Sequence, residues 1–436
     1  MATLDEYLAT ATSPGPARTL PGCVMIAYQT TTGQARCKSF GTESVDPSSP
    51  RADTPLSVDS CMWVASCTKL MTAIAALQCV EKGLLMLDDD ISLVLPEWKE
   101  ARNILRGFDD ATGAPLLEPT TGPITLRMLL TQCSGLAYAF MNESFQKYIK
   151  YQVACGWKPD ANSERLAPDF PVPLLFEPGT SWNYGIGTDW AGRMVERATG
   201  LTLGEYMDQY IWQPLGMTKT TFRILDRPDI CSRMAQMSVR TSGSDGSHGS
   251  SEARLAPYPD YYFPVTTRYD YGGSGVFTSP REFFKVLVAC VDSNPVLLSP
   301  VGYGLLCAPS LPPLAAAAYQ TIRTSLVAAA NAAAKERGTP IPVPSPRQYN
   351  YALGGMLNLD DVPGGRRAGT ISWGGLPNLV WTIDRAAGVA TLYASQLLPP
   401  GESLTAWIVR ALEAEVYSGA FFKNATLLGK WKNRWR

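Results

Sequence analysis

Histidine is nearly absent. The 436 residues hold one, His248, in the Gly- and Ser-rich stretch RTSGSDGSHGSSEAR, which reads as an exposed loop. A Ser-His-Asp triad, a Cys-His pair and any multi-histidine metal site are thereby all but excluded. Charge of one sign is lacking as well. With 38 Lys and Arg against 39 Asp and Glu, net charge is -1 and no long run of either sign occurs, so no footprint for nucleic acid or anionic membrane is present. No stretch of about 18 uninterrupted apolar residues exists, which argues against a bilayer-spanning helix. The opening MATLDEYLATATSPGPARTLPG has an early Asp and Glu and no basic region ahead of an apolar core, so no secretory signal is expected and the cytoplasm is the expected location. Ten cysteines are scattered among apolar neighbours without a C-x-x-C pair, the pattern of reduced, buried thiols rather than of disulfides or zinc. At 45% hydrophobic content the chain can bury a large core, and a small or neutral partner is expected.

The periodicities place strands at both ends and helices between. PGCVMIAYQTTTGQARCKSFG reads as two strands around a turn at Thr31 to Gly33, and AGTISWGGLPNLVWTIDRAAGVATLYASQ as three strands with turns at Gly374–Asn378 and Arg385–Gly388. SLTAWIVRALEAEVY comes next as an amphipathic helix. The economical topology is an α/β (α+β) fold, a sheet built from residues 1–95 and 265–436 with a mainly helical insertion at 96–264. Residues 310–347 read as an Ala-rich helix and a Pro-rich loop, either a lid or an inert surface insertion.

With histidine gone, a nucleophilic enzyme needs lysine or tyrosine as its base. The stretch MWVASCTKLMTAIAALQCVEKGLL offers Ser66 and Lys69 at the mouth of a helix expected to run to about Lys82 and stop at Gly83. A second S-x-x-K, Ser144 and Lys147, serves as a control: it lies among Asn142, Glu143, Gln146 and Lys150, a solvated helix face. Ser66 and Lys69 instead precede Leu70, Met71, Ala73, Ile74, Ala75, Ala76 and Leu77, with almost no polar face. Residues three apart share one side of a helix, so the amine reaches the hydroxyl. Burial disfavours a charged lysine and favours the neutral amine that can act as a base. The helix N-terminus adds partial positive charge where an oxyanion would form.

ASCTK resembles the first motif of the serine β-lactamase and penicillin-binding superfamily. FEPGTSWNYGIGTDWAGRMVERATG resembles the second motif of the class C branch and its esterases, and ITLRMLLTQCSGLAY and YGGSGVFTSPREF are similar to that branch, although Gln132 stands where histidine is usual. ISWGGLPNLVWTID resembles the third motif. Penicillin-recognising members carry Lys-Thr-Gly there; this chain has Trp373, Gly374 and Gly375, without the cation that grips a β-lactam carboxylate. AALQCVEKGLLMLDD, YGIGTDWAG and GGLPNLVW together resemble the fungal lovastatin-type acyltransferases, from about Pro21 to the last helix.

The resemblance implies a β-lactamase/transpeptidase-like antiparallel sheet flanked by helices. It implies transfer of an acyl group from a thioester, on an acyl carrier domain or a small thiol, to an alcohol of a polyketide, with no cofactor or metal. Carried over, Ser66 is acylated, Lys69 and Tyr184 share the proton, and the amides of Ser66 and Leu376 form the oxyanion hole. Tyr138 matches a position lining the acyl pocket. Trp63, Trp373, Gly374 and Gly375 are expected along the substrate cleft, and Arg165 at a polar substrate edge; each also has a plain packing or salt-bridge reading. Cys67 is expected to pack, and Asp88 to Asp90 to form a turn. A carboxylesterase using the same three residues is the alternative, with water as acceptor.

Overall fold

The segment GCVMIAYQ is apolar at nearly every position, which suits a strand covered on both faces. In the computed structural model, which describes residues 3–15, 18–157, 172–241, 254–259, 262–263, 265–336 and 347–431, it forms β1 (Gly22–Gln29). Val24, Ile26 and Tyr28 enter one core; Cys23, Met25 and Ala27 enter another on the opposite face. The expected turn leads into β2 (Gln34–Gly41), antiparallel to β1. The remaining strands of this sheet come from the far end of the chain: β3 (Tyr349–Ala352), β4 (Gly355–Asn358), β5 (Ile371–Gly375), β6 (Leu379–Asp384), β7 (Val389–Ala394) and β8 (Thr426–Lys430). Their order is β8-β2-β1-β7-β6-β5-β4-β3, and every pairing is antiparallel. The three strands read from AGTISWGG onward are β5, β6 and β7.

Six helices support the sheet and the cleft beside it: α1 (Leu4–Thr12), α2 (Thr68–Glu81), α3 (Gly187–Thr199), α4 (Pro280–Val291), α5 (Pro313–Glu336) and α6 (Ser403–Tyr417). α1 and α6 share the core on the Met25 face of the sheet, with Leu8, Ile408 and Leu412 fully or almost fully buried. α2 and α4 share the core on the Ile26 face. α2 buries 12 of its 14 residues, as a helix apolar all round must. Full burial of one leucine or isoleucine contributes about 1.5–3 kcal/mol, so this helix is held by packing rather than by propensity. Its start differs slightly from the expectation. Ala65–Cys67 form a 3-10 turn and the α-helix begins at Thr68. Ala65 has φ 46°, outside the helical basin, which turns the chain before the helix can begin.

Between these parts lies a two-stranded hairpin, Asn103–Phe108 with Pro115–Pro119, that the sequence reading missed. Its second strand leaves Leu116 and Leu117 exposed, so the alternation that marks a half-buried strand is absent. The helix expected after residue 310 is present as α5; the Pro-rich loop at 337–346 lies outside the described residues, as do Arg165 and His248. Among the described residues no helix is long and apolar enough to cross a membrane. The ten cysteines are free thiols.

Candidate active site

Ser66 sits in the turn between the positive-φ Ala65 and α2, so its side chain leaves the helix at the N-terminal end. Lys69, one helical turn on, is only 6% exposed. Its Nζ donates to Ser66 Oγ at 3.4 Å, to Tyr138 Oη at 2.8 Å and to the Gly273 carbonyl at 2.7 Å. Tyr184 Oη donates to Ser66 Oγ at 2.5 Å, and the Lys69 Nζ lies 4.8 Å from the Tyr184 ring centre. The three residues singled out in the sequence thus meet at one point. The control pair does not: Ser144 and Lys147 are exposed on a surface helix, with Lys147 over the Phe108 ring at 4.2 Å.

Hydrogen-bond capacity limits what Lys69 can do. An ammonium has three donors and all three are engaged; a neutral amine has two donors and one lone pair. The Gly273 carbonyl can only accept, so a lone pair on Lys69 must face Ser66 or Tyr138. Burial, with Asp189 and Tyr184 nearby, pushes the Tyr138 hydroxyl well above its ordinary pKa, so Tyr138 stays a phenol.

Asp189 and Gly273 complete the centre, and sequence reasoning missed both. Asp189, on α3, is 2% exposed, and its Oδ1 accepts from the Gly273 amide at 2.8 Å, which aims the Gly273 carbonyl at Lys69. Burial raises its pKa to about 6, and the Lys69 charge opposes that rise. A β-carbon on Gly273 would stand 2.5 Å from Asp189 Oδ2 and 2.9 Å from Tyr138 Oη, so only glycine fits. The signal was one acid inside the otherwise uncharged run SWNYGIGTDWAG. Gln132 ties down the Tyr184 segment: its Oε1 accepts from the Gly185 amide at 2.9 Å and its Nε2 donates to Thr188 Oγ1 at 3.0 Å. Cys67 packs as expected, and burial pushes its thiol far above the reactive range.

The end of β5 closes the other side. Its ladder with β4 stops at Ser372, so Trp373, Gly374 and Gly375 run on as an edge beside Ser66. A β-carbon on Gly375 would come within 2.5 Å of the Val64 carbonyl oxygen, a close approach that only glycine permits. Above Ser66 opens a cavity of about 830 Å³. Trp63, Tyr138, Tyr184, Trp373, Gly374, Gly375 and Leu376 all line it. Trp63 stacks on Phe263 at 5.2 Å and donates from Nε1 to the Ser274 carbonyl at 2.7 Å; Trp373 packs against Tyr184 and Tyr351, each at 5.3 Å. Asp88 and Asp90 pair with Arg127 and Arg102, away from this cavity.

Residues 19–415 match the Beta-lactamase family. The chain is 36% identical over 403 residues to monacolin J acid methylbutanoyltransferase of Aspergillus terreus, covering 92% of each. It is 37% identical over 368 residues to the lovastatin esterase of Penicillium rubens, covering 83% of this chain and 86% of that protein. A mutant form of simvastatin synthase from Aspergillus terreus superposes with a TM-score of 0.82 at 34% identity, over 95% of this chain and 94% of the other. The chain therefore belongs to the beta-lactamase family, in its branch of fungal lovastatin-type acyltransferases.

Proposed function

We propose that the protein is a serine acyltransferase that moves an acyl group from a thioester to a hydroxyl of a polyketide-like metabolite, through an ester on Ser66. The observation that carries this reading is the contact of Tyr184 Oη with Ser66 Oγ at 2.5 Å, with Lys69 beside both, at the floor of a large aromatic cavity. Ser66 Oγ attacks the thioester carbonyl and its proton passes to the Tyr184–Lys69 pair, which holds one proton fewer than its full complement before the attack. The amides of Ser66 and Leu376 receive the oxyanion. The carbon–sulfur bond breaks and the thiol leaves with the proton. An alcohol then attacks the ester, gives its proton to the same pair, and Ser66 is regenerated. The donor thiol is an acyl carrier domain or a small thiol.

A hydrolytic reading has its own support, since one relative is named an esterase. The cavity favours transfer: an acyl-enzyme walled by Trp63, Tyr138 and Trp373 is shielded from bulk water and has room for a large acceptor. Partition decides between them. With butanoyl-N-acetylcysteamine as donor, adding a panel of polyketide alcohols should divert most product from butanoate to ester and raise total turnover. Free acid as sole product at an unchanged rate would establish the esterase instead.

A further inference from the structure

The aromatic side of the cavity borders a second cavity. Trp63, Tyr262 and Phe263 line both, so these rings stand between the space over Ser66, about 830 Å³, and a smaller one of about 220 Å³. The Trp63 and Phe263 rings stack with centres 5.2 Å apart and planes 26° from parallel, and Tyr262 lies 5.7 Å from Trp63. Trp63 is fastened through its backbone as well as its ring: it pairs with Phe277 in a short strand, and its carbonyl accepts from Gln396 Nε2 at 3.0 Å. Phe263 is buried and packs edge-on to Tyr271 at 5.9 Å and to Phe277 at 6.3 Å. Beyond these rings the lining is largely apolar, with Met234, Ala235, Met237 and Tyr258. Its polar side chains have protein partners, since Arg51 donates to the Met234 carbonyl and Gln236 Oε1 accepts from Ser44 Oγ.

The edge of β5 shows which way an acyl chain runs. Gly375 lies against the Val64 carbonyl, next to Trp63. Ser372, three residues or about 10 Å back along the strand, accepts from Arg366 Nη1 at 3.2 Å. The charged end of the cavity, with Arg323, Arg366, Arg410 and Glu413, is thus displaced along the strand. Trp63 instead stands on the side of Ser66, pinned to the Ser274 carbonyl one residue beyond the Gly273 that Lys69 contacts. Tyr138, Phe140 and Met141 add further apolar surface to the cavity. Each methylene that leaves water for such a surface gains about fourfold in affinity. A linear acyl chain fixed at Ser66 therefore lies on the aromatic side, and its far end meets the Trp63–Phe263 stack.

We propose that the Trp63–Phe263 stack sets the longest linear acyl chain that Ser66 accepts, and that the cavity behind it is a closed-off extension of the acyl site. The inference rests on Ser66 forming an acyl-enzyme, as in the acyl-transfer reading. Rings wedged between two packed layers do not yield to one more methylene without strain, so the chain stops where the stack begins. A stack that served the core alone would leave chain-length preference untouched when it is trimmed.

The test is the rate of Ser66 acylation, read by intact mass, with the N-acetylcysteamine thioesters of butanoate, hexanoate, octanoate, decanoate and dodecanoate. In the parent the rate constant should drop about tenfold or more at one step in this series, where the chain meets the stack. Phe263→Ala joins the two cavities. It should move the drop to a longer chain and raise the rate of the first excluded thioester, relative to butanoate, about tenfold or more, as two methylenes at about fourfold each allow. Ala235→Leu, which fills the second cavity, should cancel that gain in the double variant and leave the parent profile as it is. If Phe263→Ala does not fold, Phe263→Leu and Tyr262→Ala replace it, and Met237→Phe replaces an Ala235→Leu that does not fold. Product partition plays no part, so an esterase is tested equally well. No drop up to dodecanoate, a profile unmoved by the trimmed stack, or a gain that survives the filled cavity overturns the proposal and leaves the acyl-enzyme standing. No adduct with any thioester refutes the acyl-enzyme reading, and this inference with it.

Discussion

Asp189→Asn should change how stability depends on pH, and the size of the change comes from burial. The folded protein holds Asp189 with its pKa raised from 3.8 to about 6, because a carboxylate on α3 with almost no water contact resists ionisation even beside Lys69. A carboxylate raised in this way favours the folded state at low pH. Its contribution is complete below about pH 3.8 and is lost as pH rises through about 6. Between pH 5 and pH 7 the unfolded chain has already released this proton, whereas the folded chain goes from about nine-tenths to about one-tenth protonated. At about 1.36 kcal/mol per unit, the group alone makes the protein ~1.3 kcal/mol more stable at pH 5 than at pH 7. Other groups titrate too, so the quantity to measure is a double difference: urea unfolding at both pH values for the parent and for Asp189→Asn. The parent should gain ~1.3 kcal/mol more on acidification than the variant. Equal gains would show that Asp189 is ionised throughout and that Lys69 outweighs its burial.

The same centre sets the outcome of three further substitutions. Lys69→Ala should cut acyl-enzyme formation by about 10²-fold or more, the scale of losing a positioned proton acceptor, while Lys147→Ala leaves the rate within about twofold. Comparable losses from both would dissolve the distinction drawn from context. Tyr184→Phe should slow acylation and deacylation alike by about 10²-fold with little change in KM, since it removes a proton acceptor and keeps the ring packed on Trp373. Normal single-turnover acylation in that variant would remove Tyr184 from the chemistry.

Much of the fold was legible because its strands are apolar runs bounded by turn residues. β1 and β5 to β7 obey that rule, and α2 declares itself by having no polar face. The hairpin at Asn103–Phe108 was illegible because its pairing leaves leucines in solvent. The meeting of Ser66 and Lys69 was legible because a lysine three residues after a serine opens an otherwise apolar helix, whereas the Ser144–Lys147 pair, with the same spacing, is exposed. Asp189 and Gly273 were not, because they act through a long-range contact, an amide held by a carboxylate so that its carbonyl meets Lys69. The cationic end of the cavity was hidden for the same reason. Arg323, Arg366 and Arg410 are spread along the chain, and only the packing of α5 and α6 against the sheet brings them together.

The central claim is an ester on Ser66 that an alcohol, rather than water, discharges. Intact-mass measurement after brief exposure to butanoyl-N-acetylcysteamine tests it most directly. The parent protein should gain the mass of one butanoyl group, lose it faster when a suitable alcohol is added, and yield the peptide carrying Ser66 as the modified one. Ser66→Ala, folded to the same extent, should gain nothing. An adduct that persists in Ser66→Ala, or turnover by the parent protein with no adduct under any quench, would contradict the account.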